Sequence, residues 1–310
     1  MESVHVPVLL HETVECLTKP RQHEGGAYVH HPTEWYLDGT LGGGGHARAI
    51  AKAMKGKLNV VGLDLDPRAV RRADELLRGE AKRLIVERES FRNLDKVLDQ
   101  HGIQAVDMIL LDLGLSSDEL EASGKGFSFL KDEPLVMTFG TPTDYAFTAK
   151  SIVNGWKEGD IANVIFAYGE ERFGRKIARA IVAYREKKSI ETSAELAEIV
   201  KSAVPPFYRR GKVHPATKTF QALRIAVNDE LKALEEAVAK GYARLAPKGR
   251  MAIISFHSLE DRIVKTAFRA YANEGDVLIT KRPIRPTDQE AAENPRSRSA
   301  KLRIIKKNAD

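Results

Sequence analysis

The 310 residues carry 49 basic and 43 acidic side chains, a formal net charge of +6 and a single cysteine. One cysteine excludes an internal disulfide and a cysteine-cluster metal site. No apolar run approaches the roughly 18 residues that a membrane helix needs, and residues 1–5 lack a signal-peptide pattern. We therefore expect a cytoplasmic protein whose small basic excess mildly favours an anionic partner.

The first recognisable unit is a strand, a glycine turn and the start of a helix. The apolar residues 35–37 lead into Asp38-Gly39-Thr40-Leu41-Gly42-Gly43-Gly44-Gly45-His46, and residues 47–54 continue as a helix. Glycine lets the main chain approach a ligand closely, and a helix start offers unpaired N–H groups. This segment is therefore predicted to hold one end of a ligand.

Strands and helices then alternate. Apolar runs at 58–64 and 106–112 each end in an aspartate, and a shorter strand is expected at 83–86. Pro67 opens a helix after the second strand, and residues 91–99 form another helix before the fourth. Strict alternation predicts an α/β fold with a parallel sheet and helical crossovers.

The alternation stops after Leu113 and resumes near residue 213. Residues 116–212 show only helical spacing, so we expect an all-helical insertion between two parts of one domain, 1–115 and 213–310. A long amphipathic helix follows, with Pro247-Lys248-Gly249 as its turn, and then strands at 251–255, 277–280 and 302–305. The apolar stripe predicted for that helix consists of Phe220, Leu223, Val227, Leu231, Leu234 and Val238.

Four polar residues follow predicted parallel strands. Asp38, Asp64, Asp112 and His257 should meet at the carboxyl edge of the sheet, where such folds bind ligands. An acid after the second strand suits ribose hydroxyls, which favours a nucleoside cofactor. Both a dinucleotide such as NAD and S-adenosylmethionine fit, although a carboxylate-rich edge suits the positive charges of S-adenosylmethionine better.

A series of motifs, in order from about Val6 to Ile305, resembles the ribosomal RNA small-subunit methyltransferase H (MraW) family. The motifs are DGTLGGGGH at 38–46, GLDLDP at 62–67, DLGLSS at 112–117, GFSF at 126–129, YGEERF at 168–173, HPATKTFQALR at 214–224 and ISFHSLEDR at 254–262. The resemblance implies a seven-stranded Rossmann-like methyltransferase sheet with an inserted helical domain. It also implies methylation of the exocyclic amino nitrogen of a cytosine in the decoding region of 16S rRNA, with S-adenosylmethionine as donor.

The resemblance carries residue roles with it. Its motifs assign cofactor contacts to Gly44, Gly45, His46, Asp64, Phe91, Asp112 and Glu119. One stretch departs, because the family usually continues GFSF with D-G-P-L-D-M-R-M-D, whereas this chain reads Asp132-Glu133-Pro134-Leu135-Val136-Met137-Thr138-Phe139-Gly140. Two acids and an arginine are absent there, which puts lid or RNA contacts in question.

Transfer to a cytosine amino group needs an acceptor for its N–H and an unpaired base. Candidate acceptors are Ser116, Ser117, His257 and the Asp112 carboxylate, and His257 could equally cap a helix. Phe256, or the pair Phe127 and Phe129, could stack on the base, although burial in a core is the commoner role. Candidate phosphate contacts are Arg209, Arg210 and Lys212 in one segment, and Arg285, Arg296, Arg298 and Lys301 in another.

Three functions remain open from the sequence. The first is the rRNA methyltransferase, acting on the small ribosomal subunit and on neither DNA nor a membrane. The second is an NAD-dependent oxidoreductase that uses the same glycine turn. The third is a non-catalytic RNA-binding ribosome-assembly factor. The departure of residues 136–140 from the family's usual sequence favours this alternative more than an unaltered segment would.

Overall fold

The computed structural model describes residues 7–18, 34–115, 120, 123–211 and 213–308. The chain divides into two compact units, which we call the sheet unit (Met1–Gly114 with Leu231–Asp310) and the helical unit (Leu115–Glu230). No helix in the described ranges is both long and apolar enough to span a bilayer.

The sheet unit contains seven strands in the order β3-β2-β1-β4-β5-β7-β6. β1 to β5 run parallel to one another, and β7 is antiparallel to both β5 and β6. The predicted seven-stranded α/β sheet is confirmed. The strands are β1 Glu34–Asp38, β2 Leu58–Asp64, β3 Arg83–Arg88, β4 Val106–Asp112, β5 Leu245–Ser255, β6 Val277–Leu278 and β7 Lys301–Lys306.

The central strands are buried on both faces because helices cover both sides of the sheet. Apart from the final aspartate, every residue of β2 and β4 is buried, and two separate apolar clusters lie on the two faces. The order of strands reverses at β1, which lies between β2 and β4. Ligands of open α/β sheets bind at such a switch point. The helices in the first part of this unit are α1 Leu10–Thr18, α2 Gly45–Ala53, α3 Pro67–Leu77 and α4 Leu94–Gln100.

The helical unit has its own apolar core. Its only β pairing in the described residues is an isolated bridge between Pro134 and Thr192. Thr192 begins a helix through a capping box with Glu195, as its spacing indicates. The helices are α5 Ala149–Gly155, α6 Glu158–Gly169, α7 Gly174–Arg185, α8 Ser193–Ala203, α9 Pro206–Arg209 and α10 Thr217–Asn228.

The single long helix expected after the insertion is instead two helices. α10 ends at Asn228, Asp229 adopts φ 49°, and α11 runs over Glu230–Ala243. Phe220, Leu223 and Val227 belong to the core of the helical unit, whereas Leu234 and Val238 belong to a core of the sheet unit. The helical unit therefore extends to residue 230 rather than 212, because α10 packs with α6.

The expected turn at Pro247-Lys248-Gly249 lies inside β5. Between Leu245 and Arg250 the pairing with β4 shifts register, and Lys248 has φ 63°. The Lys248 N–H donates to the Lys307 carbonyl at 3.0 Å, and the Lys307 N–H donates to the Gly249 carbonyl at 2.9 Å. These bonds to the chain after β7 keep the irregular residues within the strand. The remaining helices are α12 Ser258–Asn273 and α13 Asp288–Glu293.

Candidate active site

The glycine turn is fixed by hydrogen bonds to neighbouring strands. Gly42 donates its N–H to Asp64 Oδ2 at 2.7 Å, and Gly44 donates its N–H to the Leu41 carbonyl at 2.8 Å. Gly44 has φ 77° and stands directly before α2, a conformation that favours glycine. A Cβ added to Gly43 would meet nothing within 4 Å. The turn therefore leaves open space beside its backbone at Gly43.

Asp64 joins the glycine turn to the turn after β2. Its Oδ1 accepts the Asp66 N–H at 2.8 Å, while Oδ2 accepts from Gly42. Burial raises the pKa of Asp64, and the two backbone N–H bonds oppose that rise. Each carboxylate oxygen keeps a further lone pair. Asp64 can thus hold the turn and still accept hydrogen bonds from ribose hydroxyls.

Asp38 is a buried carboxyl at the end of β1. Its Oδ2 accepts the Tyr36 hydroxyl at 2.8 Å, and its Oδ1 accepts the Thr40 N–H at 3.2 Å. Burial raises the pKa of Asp38 from 3.8 to about 6, and the bonds from Tyr36 and Thr40 only partly offset this. Alternation along the strand places Tyr36 and Asp38 on the same face. The sequence pattern does not indicate that the Tyr36 hydroxyl donates to the Asp38 carboxylate.

Asp112 is the acid at this edge with an unsatisfied atom. Its N–H donates to Thr40 Oγ1 at 2.6 Å, yet its buried Oδ1 has no hydrogen-bond partner among the described residues. Burial, then the charges of Asp38 and Glu260, raises the pKa of Asp112 well above its ordinary value. Buried carboxylate oxygens are rarely left without partners unless a ligand supplies them. This oxygen is the clearest sign of a ligand position.

His46 lies in the first turn of α2, beside Asp112. Its Nε2 is 3.0 Å from the Val8 carbonyl, which can only accept, so Nε2 carries the proton. Its Nδ1 is 3.6 Å from Asp112 Oδ2. The ring is therefore held by the segment before α1, with Nδ1 facing Asp112 Oδ2 beyond hydrogen-bond distance.

The remaining predicted cofactor residues are placed as follows. Gly45 is the first residue of α2, and Phe91 begins a 3₁₀ turn, Phe91–Asn93. A Cβ on Gly39 would come 3.0 Å from Phe91 Cβ, so Phe91 packs directly against the entrance of the glycine turn. Glu119 lies outside the described residues, as do Ser116, Ser117 and Lys212.

His257 serves as the cap of α12. Its Nδ1 accepts the Glu260 N–H at 3.4 Å, and its Nε2 lies 3.1 Å from Glu260 Oε1. Glu260 is buried and its Oε2 accepts the N–H groups of Phe256 at 2.8 Å and His257 at 3.2 Å. Glu260, for which the sequence predicted no role, is thus a second acid near Asp112 besides Asp38. Its only signal was the capping-box spacing after His257.

The aromatic pair proposed to stack on a base is largely part of the helical core. Phe127 is buried within that core, and Phe129 stacks on His214 with ring centroids 4.5 Å apart. Phe129 also meets the Phe220 ring edge-on at 5.2 Å. Phe256 is half-buried, with its ring 3.4 Å from the position of a Cβ on Gly114. Phe127 and Phe129 therefore serve packing.

The arginines predicted to contact phosphates differ in exposure and in the hydrogen bonds that they make within the protein. Arg209 donates from Nε to the Val204 carbonyl at 3.0 Å and from Nη2 to the Ser202 carbonyl at 2.9 Å, so it caps α8. Arg210 is exposed and makes no ion pair among the described residues. In the sheet unit, Arg298 donates to the Ala291 carbonyl at 3.2 Å, and Arg296 is half-buried.

Comparison with known proteins identifies the kind of protein to which this site belongs. The model of the MraW methylase family matches residues 2–308. The chain belongs to the MraW methylase family. Curated relatives named ribosomal RNA small subunit methyltransferase H include those of Heliobacterium modesticaldum (43% identical; 98% of each chain), Sulfurihydrogenibium sp. (48%; 87% of this chain and 92% of the relative) and Synechococcus elongatus (45%; 98% and 94%).

The cofactor of this MraW methylase is S-adenosylmethionine, and the residues at the edge suit it. The buried, unpartnered Asp112 Oδ1 and the nearby Asp38 and Glu260 form a negative site for a cationic ligand. Asp64 offers acceptors for ribose hydroxyls, and the open backbone at Gly43 leaves room for a ligand. Family membership also removes the NAD-dependent alternative.

The raised pKa of Asp38 gives a testable pH dependence. A carboxyl whose pKa is raised on folding binds its proton more tightly when folded, so its stabilising contribution is lost as pH rises from about 4 to above 6. Asp38→Asn should therefore raise the free energy of unfolding near pH 7 by on the order of 3 kcal/mol and change it little near pH 4. Urea unfolding at both pH values checks this, with the exposed Asp132→Asn as control. An equal difference at both pH values would contradict it.

Proposed function

We propose that this chain transfers a methyl group from S-adenosylmethionine to the exocyclic N4 amino nitrogen of a cytosine in the decoding region of 16S rRNA. Membership in the MraW methylase family and the names of relatives at 42–48% identity support an rRNA substrate. The observation that carries the chemistry is the buried, unpartnered oxygen of Asp112 at the switch point of the sheet. The proposal places this chain in the cytoplasm, with the small ribosomal subunit as its partner.

The cofactor supplies an electrophilic methyl group on a sulfonium, so the reaction needs no metal or covalent intermediate on the protein. The lone pair of the amino nitrogen is delocalised into the ring, so this nitrogen is a poor nucleophile. The protein must therefore align the nitrogen with the methyl group and accept a hydrogen bond from its N–H group, which restores electron density on the nitrogen. Thr40 Oγ1 holds the Asp112 backbone by accepting its N–H at 2.6 Å, and His46 Nδ1 lies 3.6 Å from Asp112 Oδ2. Burial and the charges of Asp38 and Glu260 raise the pKa of Asp112 in the unliganded protein, and a bound cation would favour its ionised form.

The acceptor of the amino hydrogen is proposed among Ser116, Ser117, His257 and Asp112. Of the two described residues, both offer a buried atom without a hydrogen-bond partner in the described part of the chain, Asp112 Oδ1 and His257 Nε2, although Nε2 lies 3.1 Å from Glu260 Oε1. A carboxylate with a raised pKa is also a better proton acceptor than an ordinary one. The raised pKa of Asp112 therefore favours its Oδ1 over His257 for this role.

The decisive test is methyl transfer from labelled S-adenosylmethionine to small subunits that lack the modification, followed by mass spectrometry of the nucleosides. We expect label in one N4-methylated cytidine of 16S rRNA. Label in a different nucleoside would overturn the assigned position. RNA binding without any label would support the non-catalytic assembly factor, which the departure at residues 136–140 keeps in consideration.

A further inference from the structure

The helical unit carries an aromatic and basic patch. Apart from its residues in α9, no residue of this patch has been given a role above. We define the patch as Arg172, Phe173, Lys176, Phe207 and Tyr208. The Arg172 guanidinium carbon lies 4.8, 5.8 and 5.3 Å from the ring centroids of Phe173, Phe207 and Tyr208. Lys176 Nζ lies 5.8 Å from the Phe173 centroid. Two cations thus share three aromatic rings.

The backbone beneath the patch is firmly fixed. The Tyr208 hydroxyl donates to Oε2 of the buried Glu171 at 2.5 Å, and Oε1 of Glu171 accepts the Phe173 N–H at 2.8 Å. Burial, then the bond to Glu171, raises the pKa of Tyr208 to about 12, so the phenol remains a donor at neutral pH. Arg209, the residue after Tyr208, is anchored to the end of α8 by its bonds to the Val204 and Ser202 carbonyls. These bonds join the segments around residues 172 and 207.

Phe207 is the side chain that packing does not explain. It is 64% exposed, whereas Phe173 and Tyr208 pack against the core of the helical unit. Its ring meets Phe173 at 6.4 Å and 65°. Unlike Phe166, which is 68% exposed, the Phe207 ring lies beside a second aromatic ring and a guanidinium group, and such an arrangement suits stacking on a ligand with a flat face.

The cations of the patch also lack acidic partners. Some other cations of the helical unit form ion pairs with glutamates, whereas Arg185, Arg209 and Lys218 donate to backbone carbonyls. The ion pairs include those of Lys150 with Glu191, Lys188 with Glu195, Lys201 with Glu198 and Arg179 with Glu158. Within the described part of the chain, Arg172 and Lys176 form none, and neither do the neighbouring Arg175 and Arg210. Unneutralised positive charge beside an exposed ring fits an anionic ligand that has flat faces.

We propose that this patch binds single-stranded RNA, with an unpaired base stacked on Phe207 and adjacent phosphates on Arg172 and Lys176. Base stacking on aromatic rings with nearby arginine is how proteins hold unpaired nucleotides. The inference rests on the proposed RNA substrate. It extends that proposal, because it assigns a strand-binding surface separate from the acids at the sheet edge.

The test measures binding of the full-length protein to a fluorescein-labelled single-stranded oligocytidine by fluorescence anisotropy across a salt series. Phe207→Ala should raise the Kd about tenfold while leaving the salt slope unchanged, because stacking releases no counterions. Phe207→Trp should keep the affinity. Arg172→Gln should weaken binding and reduce the salt slope by about 0.7, the value for one phosphate contact with a single strand.

Phe166→Ala is the matched control, since Phe166 is 68% exposed on the same unit but makes no ring contact among the described residues. An unchanged Kd for Phe207→Ala, or an equal loss for Phe166→Ala, would overturn the proposal. If Phe207→Ala weakened binding of an acidic peptide but left RNA binding unaffected, the patch would be assigned to a protein partner. That result would also overturn the proposal. Loss of RNA affinity in Phe207→Ala without methyl transfer by the wild type would sustain the patch and refute the proposed function.

Discussion

Replacing Asp112 by asparagine should lower methyl transfer by on the order of a hundredfold or more while making the unliganded protein more stable. The loss follows because asparagine keeps the shape of the side chain but removes a buried charge that faces a cation, an effect of about 2–5 kcal/mol. The gain in stability follows because burial, with Asp38 and Glu260 nearby, disfavours the ionised carboxylate in the free protein.

These opposite signs distinguish a binding role from a structural one. Thermal unfolding without ligand should shift upward in Asp112→Asn, and the further shift on adding S-adenosylmethionine should shrink. The shift on adding S-adenosylhomocysteine, which lacks the sulfonium charge, should shrink less. Asp107→Asn is the matched control, because Asp107 is a buried acid on the same strand whose Oδ2 accepts the Trp35 N–H at 2.8 Å. Activity within tenfold of the wild type in Asp112→Asn would contradict the assigned role.

The sequence predicted the positions of the site better than its contacts. Asp64 and Asp112 could be placed because each ends an apolar run, and parallel strands bring such ends to one edge. The contact of His46 with the Val8 carbonyl depends on how the segment before α1 packs against α2, and the bond from Tyr36 to Asp38 depends on side-chain orientation within β1. The apolar pattern records neither of them. The positions of Asp64 and Asp112 therefore followed from the apolar periodicity, whereas the hydrogen bonds around them did not.

The break between α10 and α11 shows a second limit. The apolar stripe continues at helical spacing across Asp229, so periodicity alone predicts a single helix. The structure places a left-handed residue there and divides the stripe between two cores. Aspartate adopts this conformation more readily than most residues, but it also occurs within helices. Only the separate packing of the two units determines where the helix ends.

The segment that departs from the family is nevertheless well held in the helical unit. The Lys125 ammonium donates to the carbonyls of Thr138, Phe139 and Gly140 at 2.9, 3.0 and 2.8 Å. Asn228 donates from Nδ2 to the Met137 carbonyl at 2.8 Å and accepts the Phe139 N–H at 2.9 Å. These bonds use backbone groups, so the segment keeps a defined position without the family's usual side chains.

Gly126→Ala should disrupt this arrangement and destabilise the helical unit by on the order of 3 kcal/mol. Gly126 has φ 72°, and an added Cβ would lie 2.5 Å from the Pro134 carbonyl oxygen and 3.4 Å from Leu135 Cα. The left-handed conformation alone costs a non-glycine residue about 1–2 kcal/mol, and a clash with rigid backbone adds strain that no side-chain movement relieves. Hydrogen exchange of the Val136, Met137 and Ala149 amides, which are bonded within this region, should accelerate.

Gly124→Ala separates the two contributions. Gly124 has φ 68°, close to that of Gly126, but a Cβ there would meet nothing within 4 Å. Its substitution should cost only the conformational term of about 1–2 kcal/mol and leave the three amides protected. Equal destabilisation by the two variants would show that contact with Pro134 is unimportant. A larger loss at Gly126, with faster exchange confined to this region, would show that the departing segment is seated by close backbone packing of the Lys125–Gly126 turn.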